Sequence, residues 1–178
     1  SKEEEIEKTL KKIEEDHREL VRRIERALDD ARRRHKELVD RDDKELRDAE
    51  RELDRLVREK PVPEELKERV KRLVKESKEE IDRHHKELEK RLKEIKEEID
   101  KHHRELKERL DRIRERIRKD GATEEILKEI RDLADEARRN LERILRDIER
   151  VVEKVERDLK RIHDKNKRDV ERVRREVK

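Results

Sequence analysis

The feature that most constrains this sequence is an apolar pattern that repeats every 18 residues, which is five turns of an α-helix. The repeat can be read directly, because the segment Glu80–Leu88 returns almost unchanged as Glu98–Leu106. A period of 3.6 residues keeps one apolar stripe on one face of a nearly straight helix, whereas a strict heptad would impose a left-handed supercoil. The sequence therefore predicts long, straight helices, each with a single face to bury.

Two short interruptions divide the repeat. Pro61 and Pro63 are the only prolines, and Gly121 is the only glycine. Pro63 suits a first helical turn, Gly121 can adopt the left-handed conformation that ends a helix, and Thr123 can cap the next one. The predicted helices are about 2–59, 63–119 and 123–178. Because connections this short make neighbouring helices antiparallel, we expect an all-α, straight, antiparallel three-helix bundle that forms one elongated domain over residues 1–178.

Composition restricts the functions that such a bundle can have. Charged residues make up 63% of the chain and hydrophobic residues 28%, without any aromatic residue, Cys or Met. The 58 basic residues are nearly balanced by 55 acidic ones, so the net charge of +3 does not indicate nucleic-acid binding. No apolar run approaches the roughly 20 residues of a spanning helix, and no signal peptide opens the chain. We expect a soluble protein.

Seven positions on the apolar stripes are not aliphatic: His17, His35, Asp42, Ser77, His84, His102 and Asn166. In an antiparallel hairpin, residues at the same height have a constant sum of residue numbers. For the first hairpin, one sum is shared by His17 with His102, His35 with His84, and Asp42 with Ser77. For the second hairpin, another sum is shared by Ser77 with Asn166, His103 with Asn140, and His85 with Asp158. The alignment predicts that polar residues meet in layers.

Three polar layers are expected. The first contains His17, His102, His103 and Asn140. The second contains His35, His84, His85 and Asp158. The third contains Asp42, Ser77 and Asn166, with His163 one turn from Asn166. Because each nitrogen of a buried imidazole needs a partner, we interpret these layers as hydrogen-bond networks in an otherwise apolar core.

Two functions remain open for these layers. They could only set the register of the helices, which would make the chain a hyperstable structural scaffold. Alternatively they form a pH switch, because desolvation lowers the pKa of a buried histidine below its usual value of about 6.5, and protonation in acid then destabilises the fold. His85 and His103 lie one residue off the stripe and should contribute less. Asp158 would raise the pKa of its neighbours, so the layer with Asn140 should be the more acid-sensitive.

Metal binding and catalysis are disfavoured. His17, His102 and His103 could approach one Zn²⁺, but adjacent histidines on a helix point about 100° apart, and metal sites on helices use spacings of three or four. Neither a concave pocket nor a nucleophile beside a base is expected. We therefore expect no enzymatic activity, no cofactor, no bound metal and no required partner, and we expect a monomer.

The chain resembles computationally designed, parametrically generated helical bundles with buried histidine networks. The resemblance rests on the 18-residue repeat, the short capped loops, the restricted set of residue types and the histidine layers. It implies a synthetic protein without a natural location, folded at neutral pH and opened in acid. Some such designs are intended to disrupt membranes. Here protonation of seven histidines would raise the net charge, and the opened helices could lie on an anionic membrane surface, although no Trp or Phe is present to anchor them.

Overall fold

The protein is an all-α three-helix bundle, and 95% of it is helical. The computed structural model describes residues 1–177 of the 178-residue chain. The helices are α1 (Lys2–Glu59), α2 (Glu64–Asp120) and α3 (Glu124–Val177). The bounds from residue 2 to the start of α3 lie within one residue of the sequence prediction, and the predicted end at residue 178 lies outside the described residues. The fold class and the positions of both interruptions are therefore confirmed.

The ends of the helices are capped as their residue types predict. Ser1 Oγ accepts a hydrogen bond from the Glu4 amide at 3.3 Å, which satisfies one free donor at the start of α1. Gly121 has a φ of +74°, and its amide donates to the carbonyl of Ile117 at 2.9 Å to end α2. Thr123 Oγ1 accepts from the Ile126 amide at 3.2 Å and starts α3. These local bonds set where each helix begins and ends.

Ion pairs between the helices show their directions. Arg116 pairs with Glu129, and Arg109, further back along α2, pairs with Glu136, further along α3, so α2 and α3 are antiparallel. α1 and α3 are parallel, because Arg34 pairs with Glu156 at 3.0 Å and the later Glu52 pairs with the later Arg174. These pairs are exposed to solvent in large part, so they report the directions of the helices and contribute little to stability.

The apolar core belongs to two compact units, and every helix contributes a segment to each. The first unit consists of Ser1–Asp30 and Arg91–Arg150, and its core includes Leu10, Leu110, Ile126 and Leu133. The second consists of Ala31–Lys90 and the part of α3 from Val151 onward. Its buried side chains include Leu38, Ile81, Leu159 and Ile162 in one cluster and Leu53, Leu66 and Val173 in another. The predicted single domain over residues 1–178 stays a prediction.

Candidate functional site

Burial separates the predicted polar residues into three groups. Five are buried in the core: His17, His35, Asp42, Ser77 and Asn166. The half-buried ones are His84, His102, Asn140, Asp158 and His163, and the exposed ones are His85 and His103. The sequence pattern places His84 and His102 on the apolar stripe as well, but both remain half-buried because they lie toward one edge of it.

His17 is the buried centre of the layer in the first unit. The residue is 4% exposed, and its Nε2 lies 3.3 Å from Nδ1 of His103. The two rings stack with centroids 5.3 Å apart, so the exposed His103 covers the buried ring from α2. The other nitrogen, His17 Nδ1, has no hydrogen-bond partner among the described residues. The predicted network therefore contains one contact at this ring instead of two.

This environment opposes a positive charge on His17. Burial is the largest cause that lowers the pKa of His17, followed by repulsion from His103, His102 and Arg18, and together they bring it to about 4. The charged side chains that α3 contributes to the grooves beside this ring are Asp135, Glu136, Arg138 and Glu142. None of them offsets the cost of burial, so the imidazole is neutral at pH 7.

His35 occupies the corresponding position in the second unit. It is also 4% exposed and stacks on His85, with ring centroids 5.4 Å apart. Neither ring nitrogen of His35 has a hydrogen-bond partner in the described part of the chain, so the hydrogen-bond network predicted around this ring is wrong. Burial lowers the pKa of His35, with further repulsion from His85 and His84, and Glu89 opposes this effect. Protonation would add a charge to a ring that has no acceptor for it.

In each predicted layer, the ring that stacks on the buried histidine of α1 is the second of the two adjacent histidines of α2. The sum of residue numbers paired His17 with His102 and His35 with His84, whereas the stacked partners are His103 and His85. Consecutive residues on a helix point about 100° apart, so one histidine of each adjacent pair faces α1 and the other turns toward α3. The sum of residue numbers gives the height along the bundle only to within a residue or so, and it therefore cannot tell which of two adjacent histidines faces α1.

Between α2 and α3, the histidine in contact with α3 is the first of each adjacent pair, whereas the sums of residue numbers matched the second. His84 Nδ1 approaches Asp158 Oδ2 at 3.6 Å, the contact expected for His85. His102, not His103, lines a small groove with Asn140. Both α3 residues also have partners on their own helix: Asn140 Oδ1 accepts from Arg143 at 3.2 Å, and Asp158 pairs with Arg161. His84 and His102 therefore sit beside polar groups at the edge of the core.

The third layer contains a buried hydrogen bond and an acidic cluster. Asn166 Nδ2 donates to Ser77 Oγ at 2.7 Å, which joins α2 to α3 inside the core. Asp42 is 2% exposed, and burial raises its pKa, although His163 and Arg41 oppose the shift. His163 Nδ1 lies 3.0 Å from Asp42 Oδ1 and 2.8 Å from Glu45 Oε2. Sequence reasoning missed Glu45, although its position three residues after Asp42 puts both on one helix face.

Comparisons with protein-family models, with curated proteins and with solved structures found no match to this chain. No described helix is both long enough and apolar enough to cross a membrane. Function is therefore inferred from the burial and the contacts of the side chains. What the arrangement supplies is a pair of titratable rings held in apolar surroundings, one in each unit.

Proposed function

We propose that this chain is a pH-responsive helical bundle, folded at neutral pH and destabilised when His17 and His35 are protonated in acid. The observation that supports the proposal is that both residues are 4% exposed and have ring nitrogens without a hydrogen-bond partner among the described residues. A neutral imidazole tolerates this position, whereas an imidazolium loses its hydration and gains no acceptor at those nitrogens. The proposal involves no catalytic reaction and no cofactor, and it agrees with the resemblance to designed histidine bundles.

The sign of the pH effect follows from the lowered pKa. Between about 4 and 6.5 the unfolded chain binds a proton at His17 that the folded chain does not. The contribution of His17 is therefore fully present above pH 6.5 and is lost as the pH falls toward 4. At pH 5 this linkage lowers the free energy of unfolding by roughly 2 kcal/mol for His17 alone. His35 adds a loss of the same sign, because its pKa is also lowered.

Charged groups near His17 and His35 decide how strongly protonation of each ring destabilises the fold. The charged or titratable neighbours that shift the pKa of His35 are His85, His84 and Glu89, all on α2, and Asp158 of α3 lies beside His84. Glu89 raises the pKa of His35, whereas the neighbours that shift the pKa of His17, namely His103, His102 and Arg18, all lower it. We therefore expect the first unit to lose more stability in acid than the second.

The test is the free energy of unfolding measured by guanidinium titration at closely spaced pH values between 8 and 4.5. We expect a plateau above pH 7 and a continuous fall below it, with a slope that corresponds to the uptake of one to two protons near pH 5. The fall should reverse when the sample is returned to neutral pH. A free energy of unfolding that stays constant down to pH 5 would contradict the proposal.

A register-setting scaffold is the alternative, and the Ser77–Asn166 hydrogen bond favours it. This bond is 2.7 Å long and lies in the core, where a shift in the register of α2 against α3 would leave both groups unsatisfied. The two functions can coexist in one chain, because they use different residues. A flat pH profile together with a large cost of breaking this bond would leave the scaffold as the sole function.

The proposal extends to membranes through the helices that acid opening would expose. Each helix buries an aliphatic stripe and carries Lys and Arg on its other faces, and such helices can lie on an anionic bilayer. Dye-loaded vesicles rich in anionic lipid, added to the same pH series, test this extension. Dye release confined to the pH range in which the bundle unfolds would support this extension. Vesicles that stay intact in that range would leave pH-dependent stability as the function, without membrane disruption.

A further inference from the structure

A cluster of ligand-type atoms lies in the second unit, apart from the stacked histidines. Asp42, Glu45 and His163 each offer one ligand-type atom, and these three atoms lie within 4.8 Å of one another. The two carboxylates come from adjacent turns of α1, and the imidazole comes from α3. His163 Nδ1 is the shared centre, at 2.8 Å from Glu45 and 3.0 Å from Asp42. We call these three residues the carboxylate–histidine cluster.

Hydrogen bonding within the cluster leaves Asp42 poorly satisfied. His163 Nδ1 carries at most one proton, and the closer carboxylate is that of Glu45. Asp42 Oδ1 is buried and lies 3.0 Å from the same ring nitrogen, but outside good hydrogen-bond geometry, so the contact with His163 opposes the raised pKa of Asp42 without cancelling it. A buried carboxylate without full compensation is costly, and the usual remedies are a paired charge or a metal ion. A single cation between the three atoms would satisfy both carboxylates at once.

The donor set indicates which ion would fit. One imidazole nitrogen and two carboxylate oxygens suit Zn²⁺ and its neighbours in the transition series, whereas Mg²⁺ and Ca²⁺ prefer oxygen ligands alone. Neighbouring ligands of tetrahedral Zn²⁺ lie about 3.3–3.5 Å apart, given bonds of about 2.0–2.2 Å. The present separations of 2.8 and 3.0 Å would have to open by a few tenths of an ångström. Glu45 is half exposed and can make that adjustment.

We propose that Asp42, Glu45 and His163 bind one divalent cation of the Zn²⁺ class, with the remaining coordination positions left to water. Because two ligands belong to α1 and one to α3, the bound ion cross-links these helices in the second unit. The histidines considered for metal from the sequence alone were His17, His102 and His103, which belong to the first unit. The proposal is independent of the pH response.

The experiment is a titration of tag-free protein at pH 7.4 with Co²⁺, followed by visible absorption, and with Zn²⁺, followed by calorimetry. We expect one ion per chain. Glu45→Gln and His163→Asn should each weaken binding by at least about tenfold, because loss of even an outer-sphere partner of a metal site costs 10–100-fold. Glu45 is half exposed, so its replacement by Gln does not disturb folding. Far-ultraviolet circular dichroism of both variants verifies this.

His102→Asn is the matched control. His102 also has two carboxylates nearby, but Glu98 approaches its Nε2 at 3.8 Å and Glu105 approaches its Nδ1 at 3.9 Å, so the two cannot share one ion with a single ring nitrogen. This variant should bind Co²⁺ and Zn²⁺ as the parent chain does. The proposal is overturned if the parent chain binds neither ion, or if Glu45→Gln and His163→Asn bind them with unchanged affinity.

Discussion

In the proposed pH response, burial, and not histidine content, decides which residues respond to acid. His17 and His35 are each 4% exposed and carry a lowered pKa, whereas His85 and His103 are exposed and stack on them from outside. The outer rings shield the inner ones from water and add repulsion when both are protonated. Each stacked pair therefore makes protonation of its inner member more costly than burial alone would.

The titration of His17 can be followed directly by nuclear magnetic resonance of its ring nitrogens, assigned as the signals lost in His17→Asn. We expect the His17 ring to stay neutral down to about pH 5 while the chain is folded, since burial and the neighbouring histidines bring its pKa to about 4. A midpoint near 6.5 in the folded state would show that the ring is hydrated, and would contradict the burial argument.

The residue identities of the layers could be predicted from the sequence, but their angular positions could not. The apolar stripe predicted the burial of His17, His35, Asp42, Ser77 and Asn166 correctly. It could not tell whether His102 or His103 faces α1, because neighbouring residues have nearly the same height along the bundle and differ only in direction. Glu45 was missed for a related reason: it lies off the stripe, and only the contact with His163 reveals its role.

At the scale of the helices, the boundaries were readable because they depend on local chemistry. Gly121 and Thr123 act through bonds within a few residues, and both were predicted correctly. The pairing of side chains between helices depends instead on how each helix is rotated about its own axis. A period of 3.6 residues specifies that rotation only to within the width of the stripe, so the predicted hydrogen-bond networks were partly wrong.

The Ser77–Asn166 bond tests whether a polar contact sets the register of α2 and α3. Asn166→Ala leaves the buried Ser77 hydroxyl without its donor and should lower the free energy of unfolding by about 1–3 kcal/mol. Removing both partners in Ser77→Ala/Asn166→Leu should recover part of that loss, because no polar group then remains unsatisfied.

The measurement is a double-mutant cycle of guanidinium unfolding at pH 7.4, completed by Ser77→Ala and Asn166→Leu alone. The matched control is Thr9→Ala, which removes an exposed hydroxyl bonded only to the Glu5 carbonyl of its own helix at 3.1 Å. A coupling energy near zero would mean that the bond contributes neither stability nor register.

For the whole chain, the proposed pH response acts on two units through one buried histidine each. His17 belongs to the first unit and His35 to the second, so neither unit is without a titratable core residue. The carboxylate–histidine cluster lies in the second unit. A cation bound there would raise the free energy of unfolding, which acid lowers, for as long as its ligands stay deprotonated. The response to pH and the response to metal are therefore separable by variants.

The most direct test of the account compares three chains by guanidinium unfolding at pH 7.4 and pH 5: the parent, His17→Asn/His35→Asn, and the control His84→Asn/His102→Asn. The control removes the same number of histidines, but half-buried ones beside Asp158 or Glu98 and Glu105. We predict that the free energy of unfolding of the parent and of the control each falls by at least roughly 2 kcal/mol from pH 7.4 to pH 5. The free energy of unfolding of His17→Asn/His35→Asn should fall much less. An equal loss in all three chains, or no loss in the parent, would contradict the claim that His17 and His35 couple folding to pH.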